Sequence, residues 1–142
     1  MLQDDLLDGR RGAMKKVTAM ACGLALMACT ALADPVEGVW KTQGDDNGHY
    51  ALVSIAPCGS EICGTLGKGF DRAGSEIRSP NIGRQMIWGM KPKGGGSYGG
   101  GKIWAPDRDK TYNSRMQLTG NSLKVEGCVL GICRGQVWTR VR

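Results

Sequence analysis

The stretch TYNSRMQLTGNSLKVE, residues 111–126, decides the fold class. From Thr111 to Thr119 every second residue belongs to one face, which carries Tyr112, Ser114, Met116 and Leu118. A period of two over this length indicates a half-buried antiparallel strand. The turn residues Gly120-Asn121 follow, and Leu123 and Val125 then alternate with polar neighbours. The stretch therefore predicts a β-hairpin.

Short strands separated by turn residues recur on both sides of this hairpin. Further strands are predicted at 36–42, 50–56, 62–66, 85–88, 102–105 and 134–141. After residue 33 no window of helical length has a period of 3.6. About eight antiparallel strands usually close into a barrel or fold as a sandwich, because open sheet edges invite aggregation. We expect an all-β domain, and favour a small antiparallel barrel.

The N-terminal segment has the pattern of a secretory signal. Met14-Lys15-Lys16 is followed by an apolar run over 17–32, and Ala31-Leu32-Ala33 precedes Asp34-Pro35. Such a charged start, short apolar middle and small-residue site predict cleavage after Ala33. The apolar run is shorter than the roughly 20 residues of a membrane span. We expect a signal peptide at 14–33, an over-extended gene start at 1–13, and one β-barrel domain at 34–142.

A second processing route stays open at Cys29. Leu26-Met27-Ala28-Cys29 resembles a bacterial lipobox, in which the cysteine is lipidated and becomes the first residue. Met27 is an unusual residue at its position, and a good cleavage site follows downstream. We therefore expect a periplasmic or secreted monomer, with an outer-membrane lipoprotein anchored at Cys29 as the alternative.

The cysteines beyond the signal form two copies of the spacing C-x4-C: Cys58 and Cys63, then Cys128 and Cys133. An even number of cysteines in a small exported chain predicts disulfides, whereas zinc and redox sites usually use C-x2-C. Chain entropy favours a long bridge, at about 4.5 kcal/mol against about 2 kcal/mol for a local one. The glycines inside both motifs favour short hairpin turns instead. We expect the two local pairs.

Charge and the remaining motifs argue against several classes of function. Residues 34–142 hold fifteen basic and ten acidic residues, a net charge of +5, and the basic residues are scattered. We expect no nucleic-acid partner. The single histidine, His49, has no evident nucleophile beside it, so we expect no catalytic residue, no bound metal and no cofactor. The glycine-rich segment 94–101 lacks the hydroxyl residue of a phosphate loop, because Ile103 occupies that position, and is expected to be a mobile loop.

Landmarks across 34–142 suggest a family. They are Gly38-Val39-Trp40, Ile55-Ala56-Pro57-Cys58-Gly59, Ile62-Cys63-Gly64, Gly101-Lys102-Ile103-Trp104-Ala105-Pro106, Leu123-Lys124-Val125-Glu126-Gly127-Cys128 and Gln136-Val137-Trp138-Thr139-Arg140. Together they resemble DUF2147, an exported bacterial domain of unknown function, which is also similar to the calycin group that includes lipocalins. The resemblance implies that Arg140 of the last strand packs on Trp40 beside Gly38 and closes the barrel.

These observations lead to one favoured function and two alternatives. The favoured one is non-catalytic binding of a small apolar or lipid-like ligand at an open barrel end, near Trp88, Tyr98 and Trp104. Exposed apolar residues at Val129, Leu130 and Ile132 would add a contact surface. The alternatives are a structural or partner-binding envelope module with a filled core, and a small envelope hydrolase that uses paired carboxylates.

Overall fold

Nine β-strands form one antiparallel sheet in the computed structural model, which describes Gly23 and residues 32–142. The strands are β1 (Gly38–Lys41), β2 (Tyr50–Cys58), β3 (Glu61–Phe70), β4 (Glu76–Ile77), β5 (Gln85–Gly94), β6 (Ser97–Ala105), β7 (Lys110–Thr119), β8 (Ser122–Val129) and β9 (Ile132–Arg140). Across the described residues no helix is long and apolar enough to cross a membrane. The all-β prediction is confirmed.

The sheet closes on itself as an eight-stranded barrel. The first strand pairs with the last, with Trp40 opposite Arg140 and Lys41 opposite Thr139. The pairing of β2 with β3 completes the ring, and the two-residue β4 pairs with the end of β3 outside it. Closure satisfies the backbone groups that a sandwich would leave at its edges. The predicted barrel of about eight strands is thus confirmed.

Successive hairpins place the connections alternately at the two ends of the barrel. One end carries the turns β2–β3, β5–β6 and β7–β8 together with residues 34–37 and 141–142. The other end carries the connections β1–β2, β3–β5, β6–β7 and β8–β9. We call the first the closed end and the second the mouth, for reasons given with the site below.

Inward-facing side chains form the apolar core of the barrel. On β7 the predicted alternation holds, with Ser114 and Met116 buried between exposed neighbours. Trp40 and Trp138 are the largest fully buried side chains. The rest of the buried apolar core comes from the segment before β1 and from β2, β3, β5, β6, β7 and β8, as Val36, Val53, Ile55, Ile62, Leu66, Met86, Ile87, Met90, Tyr98, Trp104, Met116, Leu123 and Val125.

The expectation of a mobile glycine-rich loop was wrong. Strand β5 continues to Gly94 and β6 begins at Ser97, so only Gly95 and Gly96 connect them. Both have positive φ, at 62° and 79°, which suits a two-residue hairpin turn whose twist matches the strands. Gly101 is needed for close approach, since a Cβ there would lie 2.8 Å from the Trp88 carbonyl oxygen. The glycines of segment 94–101 therefore lie within β5 and β6 and in the turn between them.

The two disulfides are the local pairs, Cys58–Cys63 and Cys128–Cys133. Each joins the two strands of one hairpin, β2–β3 at the closed end and β8–β9 at the mouth. The greater entropic effect of a long bridge is not available, because the fold holds the two hairpins at opposite ends of the barrel.

Most of the predicted leader falls outside the described residues. Of the segment 14–33 only Gly23, Leu32 and Ala33 are described, and Cys29 is not among them. The signal peptide, the boundary at Asp34 and the lipidation alternative therefore stay predictions. The barrel itself lies within one compact unit, Leu32–Arg142.

Candidate functional site

The closed end is plugged by a tryptophan and an arginine. The Arg140 guanidinium lies 4.4 Å from the centre of the Trp40 ring. It donates hydrogen bonds to the backbone oxygens of Glu37, at 2.8 Å, and Pro35, at 2.6 Å. The Trp40 indole Nε1 donates to the Val36 oxygen at 2.9 Å. These hydrogen bonds hold residues 35–37, which precede β1, across the closed end of the barrel.

Gly38 and Tyr98 complete the plug of the closed end. Gly38 has φ of +140°, and a Cβ there would lie 2.4 Å from the Arg142 carbonyl oxygen, so a larger residue does not fit. The structure thus brings Gly38, Trp40 and Arg140 together. Beside them, the Tyr98 hydroxyl donates to the Asp34 carboxylate. Burial, followed by this hydrogen bond, raises the pKa of the Tyr98 hydroxyl above its usual range.

The mouth opens into a cavity of about 770 Å³, which we call the calyx cavity. Its buried apolar lining, which we call the apolar floor, consists of the side chains of Leu66, Met86, Trp104, Val125 and Trp138. Aromatic side chains of Tyr50, Phe70 and Tyr112 contribute to its wall. The volume lies within the range of roughly 300–1,000 Å³ that is typical of small-molecule sites.

Polar and charged side chains are found at the rim of the calyx cavity. They are Asp45, His49, Asp107, Arg108 and Arg134. The His49 Nδ1 lies 3.8 Å from the Asp45 carboxylate, and both side chains are about half exposed. Among the described residues no cluster of His, Cys, Asp or Glu side chains has the size needed to hold a metal ion. The rim can bind a polar or charged group while the floor takes an apolar one.

Trp104 is held rigidly against the cavity. Its side chain is 4% exposed, and its indole Nε1 donates to the Asp109 carboxylate at 2.8 Å. The Arg84 guanidinium lies over the indole, 3.4 Å from the centre of the ring. A cation on an aromatic face and a hydrogen bond at the ring edge fix the ring plane. The part of the apolar floor that Trp104 contributes is therefore formed before any ligand enters.

The three aromatic residues proposed as ligand contacts do not share one site. Trp104 lines the calyx cavity. Tyr98 is bonded to Asp34 at the closed end. Trp88 is partly buried against the core and is not among the residues that line the cavity. Ligand contact by Trp104 remains a proposal.

Several cavity residues were missed from the sequence. Leu66, Met86 and Trp138 form much of the floor, yet they were expected only as strand residues. The alternation on β7 and β8 did place Tyr112 and Val125 on the inner face, which is the side that meets the cavity. The missing signal was how deep each inward-facing residue lies in the barrel, because a period of two is the same at both ends of a strand.

The family model of DUF2147, described as "Uncharacterized protein conserved in bacteria", matches residues 38–140. This chain belongs to the DUF2147 family. The match begins at Gly38 in β1 and ends at Arg140 in β9, so it spans the whole closed barrel of this DUF2147 protein.

A solved structure has a similar fold. Protein HP1028 from the human pathogen Helicobacter pylori, described as belonging to the lipocalin family, aligns with a TM-score of 0.61. The two chains are 19% identical over 78% of this chain and 85% of that one. At this identity the likeness shows the fold, which is the calycin-like barrel expected from the sequence. No curated protein matches the DUF2147 chain.

Proposed function

We propose that this DUF2147 protein binds a small apolar or lipid-like ligand in the calyx cavity, without catalysis, in the bacterial cell envelope. The observation that carries the proposal is the cavity of about 770 Å³, floored by buried apolar side chains and opening at one barrel end. A structural module with a filled core would not contain such a cavity. The cavity therefore favours a binding protein over that alternative.

Burial of apolar surface supplies the affinity. Each methylene group that leaves water for an apolar site contributes roughly 0.8 kcal/mol. The site needs little ordering, because the Arg84 and Asp109 contacts fix Trp104 and the Trp138 indole donates to Gln136 Oε1 at 3.0 Å. A preformed cavity spares the ligand the entropic cost of ordering the protein.

The distribution of polar groups sets the orientation of the ligand. The floor residues are apolar, whereas Arg108, Arg134 and His49 lie at the rim. An amphipathic ligand would place its alkyl or ring portion on the floor and its polar group at the mouth. Trp104 would contact the apolar portion.

Export is supported by the two disulfides, because disulfides persist in oxidising compartments and are rare in the cytosol. The signal pattern at 14–33 points the same way. Intact mass measured with and without reductant tests this part. A chain that begins at Asp34 and gains four hydrogens on reduction is the expected result, while a chain that begins at an acylated Cys29 would show the lipoprotein route.

Ligand binding is tested by native mass spectrometry of the purified protein after addition of decanol, with fluorescence displacement for affinity. Gly127→Leu extends a side chain into the cavity, because a Cβ at Gly127 meets Tyr112 and Ile103 at ordinary contact distances of 3.4 and 3.5 Å. We expect it to weaken binding at least about tenfold, the loss of two or so buried methylene groups.

The matched control is Gly99→Leu, whose nearest contact is the flexible Lys93 side chain at 3.6 Å. It should leave affinity unchanged. A Trp104→Ala variant should lose the bound mass if it keeps its fold by circular dichroism. Equal decanol affinity in the Gly127→Leu and wild-type proteins, or no binding by wild type, would contradict the proposed site.

A further inference from the structure

Three apolar side chains project into solvent at the mouth. Val129 is 49% exposed, Leu130 97% and Ile132 69%, and together they form what we call the apolar tip, at the turn between β8 and β9. These side chains do not fold back onto the barrel, and an exposed apolar cluster of this kind marks a contact surface.

The turn at the tip is occupied by a residue that folding does not favour. Leu130 and Gly131 have φ of +49° and +78°, the arrangement of a two-residue hairpin turn that prefers Asn-Gly or Asp-Gly. A leucine in the left-handed region is strained, and its side chain contributes no burial to the core. Stability therefore gives no reason for leucine at this position, which leaves a contact outside the molecule as the reason.

The tip is also held rigidly. The Cys128–Cys133 disulfide joins the two strands directly behind it, and Val129 pairs with Ile132 in the ladder. An exposed apolar group that is already ordered loses little entropy on docking. The same three residues line the calyx cavity, so an apolar surface runs from the tip to the floor.

Basic side chains flank the tip. Arg108 and Arg134 line the mouth with it, and Lys110 begins the neighbouring strand β7. The two acids of the adjoining turn lie beside basic side chains. Asp107 lies 3.8 Å from Arg108. Asp109 accepts a hydrogen bond from Trp104 and lies 3.9 Å from Arg84. The net charge of +5 over residues 34–142 adds a long-range attraction of the whole protein to an anionic surface.

The size of the tip favours a lipid bilayer over a protein partner. A stable protein interface uses about 20–30 residues on each side, whereas the tip offers three apolar side chains. Binding at a membrane interface strengthens with the apolar area that is buried and with each cation near anionic lipid, so a small apolar group flanked by cations suits reversible docking there. We propose that the apolar tip docks the mouth onto the surface of an anionic phospholipid bilayer, with Leu130 in the headgroup and acyl boundary and Arg108 and Arg134 near lipid phosphates.

Vesicle co-sedimentation of the full chain, its N-terminus established by intact mass, tests the proposal. Vesicles of phosphatidylcholine with phosphatidylglycerol should bind the wild-type protein, and phosphatidylcholine alone should bind it less. Leu130→Asn places a residue that the turn prefers, so thermal stability should be kept or raised while vesicle affinity falls roughly tenfold. The matched control is Val137→Thr, which alters a side chain of 50% exposure on the barrel wall.

Arg134→Gln should lower affinity for the anionic vesicles and leave binding to phosphatidylcholine unchanged. Wild-type protein that binds neither vesicle, or a Leu130→Asn variant that binds as wild type does, would overturn the proposal. So would a wild-type dimer in sedimentation equilibrium that Leu130→Asn converts to monomer, because the tip would then be a contact between two copies. Decanol binding by the wild-type protein is measured in the absence of vesicles, so a failure of vesicle binding leaves the proposed function standing.

Discussion

The closed end and the mouth are built from the same eight strands and carry similar structural features, yet these features have different roles at the two ends. Each end has one disulfide-bonded hairpin and one arginine of β9, Arg140 below and Arg134 above. Arg140 makes two backbone hydrogen bonds and covers Trp40. Arg134 lines an open cavity. The contacts that close the barrel are thus concentrated at one end, and the cavity opens at the other.

The largest expected difference between the ends is in the two arginines. Arg140→Gln should lower the free energy of unfolding by about 3 kcal/mol, because it removes two charge-assisted hydrogen bonds and the cation–π contact. Arg134→Gln should change it by less than about 0.5 kcal/mol, as for an exposed residue outside any network. Urea unfolding of both variants checks this. Equal losses would end the distinction between the two arginines.

The two disulfides should be closer to each other in their effect. Replacing either pair with alanines, Cys58 with Cys63 or Cys128 with Cys133, should cost about 2 kcal/mol, since each bond closes a loop of six residues. Urea unfolding measures both costs. Only loss of the Cys128–Cys133 bond should also weaken vesicle binding, because only that bond orders the apolar tip. A vesicle defect of the same size in the Cys58/Cys63 variant would contradict the assignment.

The smallest expected effect is a dependence on alkaline pH at the closed end. The folded protein raises the pKa of the Tyr98 hydroxyl, mainly by burial and then by its bond to Asp34. This stabilisation is complete below the ordinary tyrosine pKa near 10 and is lost as pH rises above it, because the unfolded chain then releases a proton that the folded chain retains. Unfolding measured from pH 8 to about 11 should show a shallower decline for Tyr98→Phe than for wild type. Parallel curves would exclude this group as the cause.

The sequence predicted the elements of the fold better than their ends. The alternation at 111–119 and the C-x4-C spacings are local patterns. The β7–β8 hairpin and the two disulfide-bonded hairpins formed as expected. The glycine-rich segment was misjudged, because composition does not show that Gly101 lies against the Trp88 carbonyl of the adjacent strand. Strand contacts of this kind depend on register, which alternation leaves free by steps of two residues.

The site was predicted only in part for a related reason. Trp104 was predicted to contact a ligand at an open barrel end, and it does line the cavity. Tyr98, six positions earlier on the same strand, lies at the closed end because β6 spans the length of the barrel. Distance along a strand separates residues by about 3.3 Å each, so neighbours in sequence can lie at opposite ends.

The central claim, a barrel with one plugged end and one ligand-binding end, is tested most directly by the indole N–H signals of the four tryptophans in a nitrogen-15 NMR titration with decanol. Trp104 and Trp138 lie on the cavity floor, Trp40 lies beneath Arg140, and Trp88 does not line the cavity. We expect the signals of Trp104 and Trp138 to shift in proportion to occupancy while those of Trp40 and Trp88 stay in place. A titration that shifts Trp40 as much as Trp104, or that shifts none of the four, would contradict the central claim.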